Sequence, residues 1–131
     1  MVIDSSALVA ILLGEPEADV LIQAISTDTR RFMSALNLLE TAIVVHGRKG
    51  DPGNRELDQL LAIASIDIVD LTLEQIILAR EAYRRFGKGY HPARLNLGDC
   101  CAYALARHMR EPLLFKGDDF SRTDIEIVHL G

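Results

Sequence analysis

Asp4, Glu40, Asp99 and Asp119 each border or interrupt an apolar run in this 131-residue chain. Asp4 closes Met1–Val2–Ile3, Glu40 breaks the stretch 35–45, Asp99 opens the run to Ala106, and Asp119 follows Leu113–Leu114–Phe115. Carboxylates are seldom buried without a partner. At about 100° per residue the helical neighbours of Glu40 are Leu36, Asn37, Ile43 and Val44, so its side chain should face inward with no cation beside it. Several such acids point to a cation held by oxygen ligands, Mg²⁺ or Mn²⁺. Hard divalent ions lower the pKa of bound water and neutralise a phosphoryl group, and two of them about 4 Å apart clamp an in-line displacement. Phosphodiester hydrolysis is the reaction that fits best. Ser6 can position a water or a phosphate beside Asp4, or simply cap a helix.

The elements that must position these acids read as an alternation of short strands and helices. Val2–Ile3 is a buried strand, and Ser5 or Ser6 can cap a helix over 7–13 that stops at Gly14. A second helix covers 17–26, with Pro16 near its start. A weak strand at 31–33 leads to a helix capped by Ser34 and ending near Gly47. Gly50–Asp51–Pro52–Gly53 reads as a loop, followed by a helix over 55–64 and a strand over 66–69. Thr72 caps a helix over 73–86, with Leu73, Ile76, Ala79, Tyr83 and Phe86 at helical spacing. The stretch 87–98 is loop, Asp99 starts a helix to about Met109, and strands follow at 113–115 and 125–130. This alternation predicts an α/β fold with a mostly parallel sheet of about five strands, in one domain spanning 1–131. Sites in such sheets form beyond the carboxyl ends of the strands, where Asp4, Asp99 and Asp119 can meet.

Composition narrows the function classes. Hydrophobic residues make up 49% and charged residues 25%, as in an ordinary globular protein. The apolar run 7–13 is too short to span a membrane, and Asp4 sits where a signal peptide would be basic, so no membrane role and a cytoplasmic location are expected. Cys100 and Cys101 are adjacent, which suits neither an ordinary disulfide nor a zinc pair. They read as core residues. His46, His91, His108 and His129 are scattered, and neither a phosphate loop nor a GxSxG elbow occurs. The net charge of −5 argues against a generic nucleic-acid binder. Yet Arg80, Arg84, Arg85, Lys88 and Arg94 lie within fifteen positions. They make either a solvated helix face or a surface for phosphates.

The motifs taken in order resemble the PIN-domain ribonucleases, and most closely the VapC toxins of toxin–antitoxin modules. The resemblance rests on the opening Met1–Val2–Ile3–Asp4–Ser5–Ser6–Ala7–Leu8, on Glu40 within 34–41, on Asn96–Leu97–Gly98–Asp99–Cys100, and on 113–120 with its Asp119–Phe120 pair. It implies a three-layer α/β/α sandwich and an Mg²⁺- or Mn²⁺-dependent endoribonuclease. It also implies a homodimer and a cognate antitoxin whose tail enters the active-site groove. Asp4, Glu40, Asp99 and Asp119 carry over as the acidic cluster. Many relatives place an acid where Gly117 stands, so Asp119 supplies the fourth acid and the role of Asp118 stays open. Arg80, Arg84, Arg85, Lys88, Arg94 and Lys116 are then candidates to hold RNA phosphates, with Ser6 as a further substrate contact. A non-catalytic dimerisation or antitoxin-binding module is an alternative that the retention of all four acids disfavours. A haloacid-dehalogenase-like phosphohydrolase with Asp4 as nucleophile would need a second Asp where Ser6 stands.

Overall fold

The computed structural model describes residues 1–130. Four strands pair in parallel in the order β3-β2-β1-β4: β1 (Val2–Ile3), β2 (Phe32–Ser34), β3 (Asp67–Val69) and β4 (Leu113–Leu114). The pleat sends alternate side chains to opposite faces. Val2 and Leu113 enter one core with α4 (Leu73–Phe86) and α5 (Leu97–Met109). Ile3 and Leu114 enter a second core with α1 (Ser5–Leu12), α2 (Ala18–Thr27) and α3 (Ala35–Ile63). Helices thus cover both faces, giving the expected three-layer α/β/α sandwich.

The strand order carries a functional consequence. The chain steps outward from β1 to β2 to β3, then returns to place β4 on the other side of β1. This reversal opens a crevice beyond the carboxyl ends of β1 and β4, the usual location of a ligand site in an open parallel sheet. Backbone bonds from Val2 N–H to Pro112 O (2.8 Å) and Asp4 N–H to Leu114 O (2.9 Å) fix the two strand ends together.

Several elements depart from the sequence reading. The expected strand over 125–130 shrinks to one parallel bridge, Leu113 with Ile127, because β4 is only two residues long and offers little to pair with. The loop expected at 50–53 shrinks to a single non-helical residue, Gly50 (φ 64°, ψ −150°), which bends α3 into two arms. Pro52 lies in the first turn of the second arm, where a missing N–H costs little. On α4 the buried face is Gln75, Ala79, Ala82 and Phe86, while Leu73 is exposed. Alanines at 79 and 82 let α4 lie close against α5, and Tyr83 moves to the rim, where its hydroxyl donates to Lys88 O at 3.1 Å. Thr72 caps α4 as expected, accepting from Gln75 N–H.

The backbone angles of Gly50 belong to a region that side chains disfavour. Gly50→Ala should therefore lower unfolding free energy by about 1–3 kcal/mol in urea titration. Equal stability of variant and parent would show that the bend tolerates a side chain.

Candidate active site

Asp4 follows β1 directly and is 2% exposed. It, and neither Ser5 nor Ser6, is the N-cap of α1: its Oδ2 accepts from Ser6 N–H at 3.0 Å. Its Oδ1 is buried with no hydrogen-bond partner. Burial pushes the Asp4 carboxyl up to about 7, the Ser6 hydrogen bonds oppose that rise, and repulsion from Asp99 and Glu40 adds to it.

Glu40 reaches the same crevice from α3. It faces inward as expected, but by a different face of the helix: Ile43 and Val44 are exposed, and the buried neighbours are the polar Asn37 and Thr41. Glu40 Oε1 accepts from Ser5 Oγ at 3.1 Å and from Asn37 Nδ2 at 2.9 Å. Asn37 Nδ2 also donates to Gly98 O at 3.0 Å, tying α3 to the start of α5. The carboxylate lies against Gly98, where an added Cβ would clash with both Glu40 oxygens. Ser34, expected as a side-chain cap for this helix, occupies the N-cap position but its hydroxyl is buried and unbonded.

Asp99 lies one turn inside α5 and is not its N-cap. Asn96 caps the helix, and the two residues form a capping box: Asp99 N–H donates to Asn96 Oδ1 (2.9 Å) and Asn96 N–H to Asp99 Oδ2 (3.0 Å). Burial raises the Asp99 carboxyl, the Asn96 amide lowers it, and Asp119 and Glu40 raise it further. Asp119, in the segment after β4, is near enough to add to that rise. Asp119 is half-buried at the N-cap of a short 3-10 turn, Phe120–Arg122. Asp118 is exposed, 3.7 Å from Arg122, and does not enter the repulsion at Asp99.

The four acids therefore converge from β1, α3, α5 and the segment after β4. No three acidic, histidine or cysteine side chains among the described residues stand at the spacing of a ready-made metal cage. The donor set nonetheless fits a hard divalent ion. It is all oxygen, one oxygen is buried without a partner, and two of the carboxyls are raised, first by burial and then by their neighbours' charge. Cys100 and Cys101 are buried and free, and burial holds the Cys100 thiol up at about 12, so the pair is packing.

The expected basic surface is partly consumed by internal pairs. Arg84 bonds Glu81, Arg85 bonds Asp124 at 3.2 Å, and Lys116 bonds Glu15 at 2.6 Å and Glu17 at 3.3 Å. Among the described residues Arg80, Lys88 and Arg94 are exposed and form no ion pair. Ser6 Oγ accepts from Lys116 N–H at 3.0 Å, which ties the end of β4 to α1 beside Asp4. An apolar groove of about 680 Å³ runs between α3, α4 and α5, lined by Leu36, Ile76, Arg80, Tyr83, Tyr90 and Leu97. Ser5, Asn37 and Gly98 were not singled out from the sequence. Asn37 was visible as the residue one turn before Glu40, but its bond across to Gly98 is a tertiary fact.

Gly98→Ala must displace the Glu40 carboxylate or shift α5. The variant should fold and lose at least about tenfold in affinity for Mn²⁺ by calorimetry, the size expected when a group supporting a metal ligand is lost. Unchanged affinity would mean Glu40 is not needed where it stands.

The PIN domain family model matches residues 1–126. "Ribonuclease VapC" of Mycolicibacterium smegmatis is 54% identical over 129 residues, covering 98% of this chain and 100% of the relative. "Ribonuclease VapC30" of Mycobacterium tuberculosis is 52% identical over 130 residues, covering 99% of each. Among solved structures, Mycobacterium tuberculosis VapC20, described as a Sarcin-Ricin loop cleaving toxin, superposes with a TM-score of 0.79 at 16% identity and covers 98% of each chain. A VapBC-1 structure from nontypeable Haemophilus influenzae gives a TM-score of 0.76 at 13% identity, covering 98% of this chain and 96% of the other. The sheet order, the acids at its carboxyl edge and these matches have one reading: the chain belongs to the PIN-domain family, among the VapC ribonucleases.

Proposed function

We propose that this protein is a metal-dependent endoribonuclease acting in the cytoplasm as the toxin of a toxin–antitoxin pair, with Asp4, Glu40, Asp99 and Asp119 holding Mg²⁺ or Mn²⁺. The observation that carries the metal site is the buried, unbonded Oδ1 of Asp4, on a carboxyl that Glu40 and Asp99 are near enough to repel. A bound divalent ion would supply an activated water and charge neutralisation at the phosphoryl group. The chain's own residues set the geometry. Ser6 N–H orients Asp4, Ser5 and Asn37 orient Glu40 through Oε1, and Asn96 orients Asp99 through Oδ2. Each partner thus engages one oxygen, leaving the other for a cation or for the proton of an attacking water.

Arg80, Lys88 and Arg94 are the cations we assign to RNA phosphates, since their charge is not spent inside the protein. The apolar groove between α3, α4 and α5 supports a protein contact there, with the antitoxin or a second copy of the chain. No helix among the described residues is long and apolar enough to cross a membrane.

Purified protein should cleave a mixed RNA pool only with Mg²⁺ or Mn²⁺ present. Asp4→Ala and Asp99→Ala should each lower the rate about 100-fold or more. Equal cleavage by parent and variants would remove the nuclease reading.

The raised carboxyl of Asp4 adds a pH test. The unfolded group titrates near 3.8 and the folded one near about 7, so in that window the metal-free native state holds a proton that the unfolded state releases. Stability of the metal-free protein from this group therefore falls as pH rises from about 4 to about 7. Metal binding needs the carboxylate and expels the proton. The rise in melting temperature produced by millimolar Mn²⁺ should thus be larger at about pH 8 than at about pH 5.5. A rise independent of pH would place the ion away from Asp4.

A further inference from the structure

Another aspartate, Asp124, lies outside the cluster and is tied into one face of α5. Tyr103 OH donates to Asp124 Oδ1 at 2.6 Å. Arg107 Nη1 donates to Asp124 Oδ2 and to Tyr103 OH, both at 3.2 Å. Arg85 of α4 reaches the same Oδ2 at 3.2 Å while its guanidinium lies over the Phe86 ring. Asp124 is thus held by two arginines and a tyrosine, far more than a surface aspartate needs. Burial, reinforced by Asp124, pushes the Tyr103 hydroxyl up to about 12, so it stays a donor at working pH.

The position of this clasp gives it meaning. Asp99, Tyr103 and Arg107 follow one another at four-residue spacing on α5, so they line one face, with a rise of about 6 Å between neighbours. The segment after β4 runs along that face. Its Asp119 is near enough to add to the rise of the Asp99 carboxyl, and its Asp124 is held by Tyr103 and Arg107. Between the two, the chain folds into a self-bonded turn. Arg122 N–H bonds Asp119 O, Thr123 N–H and Thr123 Oγ1 bond Phe120 O, and Ile125 N–H bonds Thr123 Oγ1. Phe120 is buried, its ring 5.0 Å from Phe115. Such a turn transmits the position of one end to the other. The Asp119 side chain has no protein hydrogen bond among the described residues, unlike those of Asp4, Glu40 and Asp99. Its placement must come from its segment.

We propose that Asp124, clasped by Tyr103, Arg107 and Arg85, is a positioning residue that sets Asp119 against Asp99 at the metal site. The proposal rests on the reading of Asp119 as a metal ligand. It also assigns Arg85, expected from the sequence to hold RNA phosphates, to the clasp beside Arg107.

Mn²⁺ binding to the purified protein, followed by the electron paramagnetic resonance of free Mn²⁺ well below the melting temperature, tests it. Asp124→Ala should weaken Mn²⁺ affinity about tenfold or more, as loss of groups that orient metal ligands does. RNA cleavage by that variant should recover when Mn²⁺ is raised, whereas cleavage by Asp119→Ala should not. Tyr103→Phe keeps the ring and removes only the hydroxyl, so it serves if Asp124→Ala does not fold. It should weaken Mn²⁺ about threefold, the worth of one hydrogen bond. Wild-type affinity in folded Asp124→Ala or in Tyr103→Phe, while Asp119→Ala binds weakly, overturns the positioning role alone. Wild-type affinity in Asp119→Ala overturns the reading of Asp119 as a ligand and the positioning role with it.

Discussion

The carboxylate of Asp4 is held almost out of water with one oxygen bonded to Ser6 N–H and the other bonded to nothing. Such a group is costly as a lone anion and is relieved by a proton or by a cation. The rest of the carboxyl edge follows from that constraint. Glu40 and Asp99 approach closely enough to repel it, so the edge is most stable when a positive charge sits among them. A fold that needed only stability would cap α1 with a neutral Ser, Thr or Asn after β1. Retaining the acid there spends stability on a site, the usual sign that a position serves chemistry rather than packing.

The supports of the acids are drawn from different elements, which is why the site is rigid without being on one helix. Asn37 bonds both Glu40 and the backbone of Gly98, and so fixes α3 against α5 at the point where two acids meet. Ser6 Oγ joins the end of β4 to α1, and the strand ends themselves are bonded across the switch in strand order. The α5 face carrying Asp99, Tyr103 and Arg107 aligns the last segment. Each hydrogen bond in these links is worth about 1 kcal/mol net, and those to charged groups about 1.5–3 kcal/mol. Their value lies in geometry, since ligands displaced by a fraction of an ångström bind a metal poorly.

The acids were legible in the sequence because they break apolar runs, and a broken run is a local signal. The alternation of strands and helices was legible for the same reason. What could not be read depends on distant partners. Glu40 was expected inward beside Ile43 and Val44, yet both are exposed and the true lining is Asn37, Thr41 and Gly98, two of which look unremarkable in sequence. The α4 face was misjudged because large residues were favoured, whereas close helix packing selected Ala79 and Ala82. Gly50 read as loop because glycine and proline stood together, and one glycine proved sufficient to turn the helix. The α1 cap shifted from the serines to Asp4, and the start of α5 moved from Asp99 back to Leu97 under an Asn96 cap, since any of these polar side chains can cap and only the chain path decides.

Charge is the last matter that the tertiary pairing resolves. With a net charge of −5, the chain must bind a polyanion through local rather than overall attraction. Three of the six candidate cations are neutralised at home: Arg84 by Glu81, Arg85 by Asp124, and Lys116 by Glu15 and Glu17. A cation already paired gains little from a phosphate, because it must surrender its partner first. Attraction then falls to Arg80, in the lining of the groove beside α5, and to Lys88 and Arg94 in the stretch that precedes Asp99. These are few contacts for an RNA. With so few lysines and arginines engaged, the salt dependence of binding should be shallow, and the ion among the acids becomes a main source of positive charge facing the backbone.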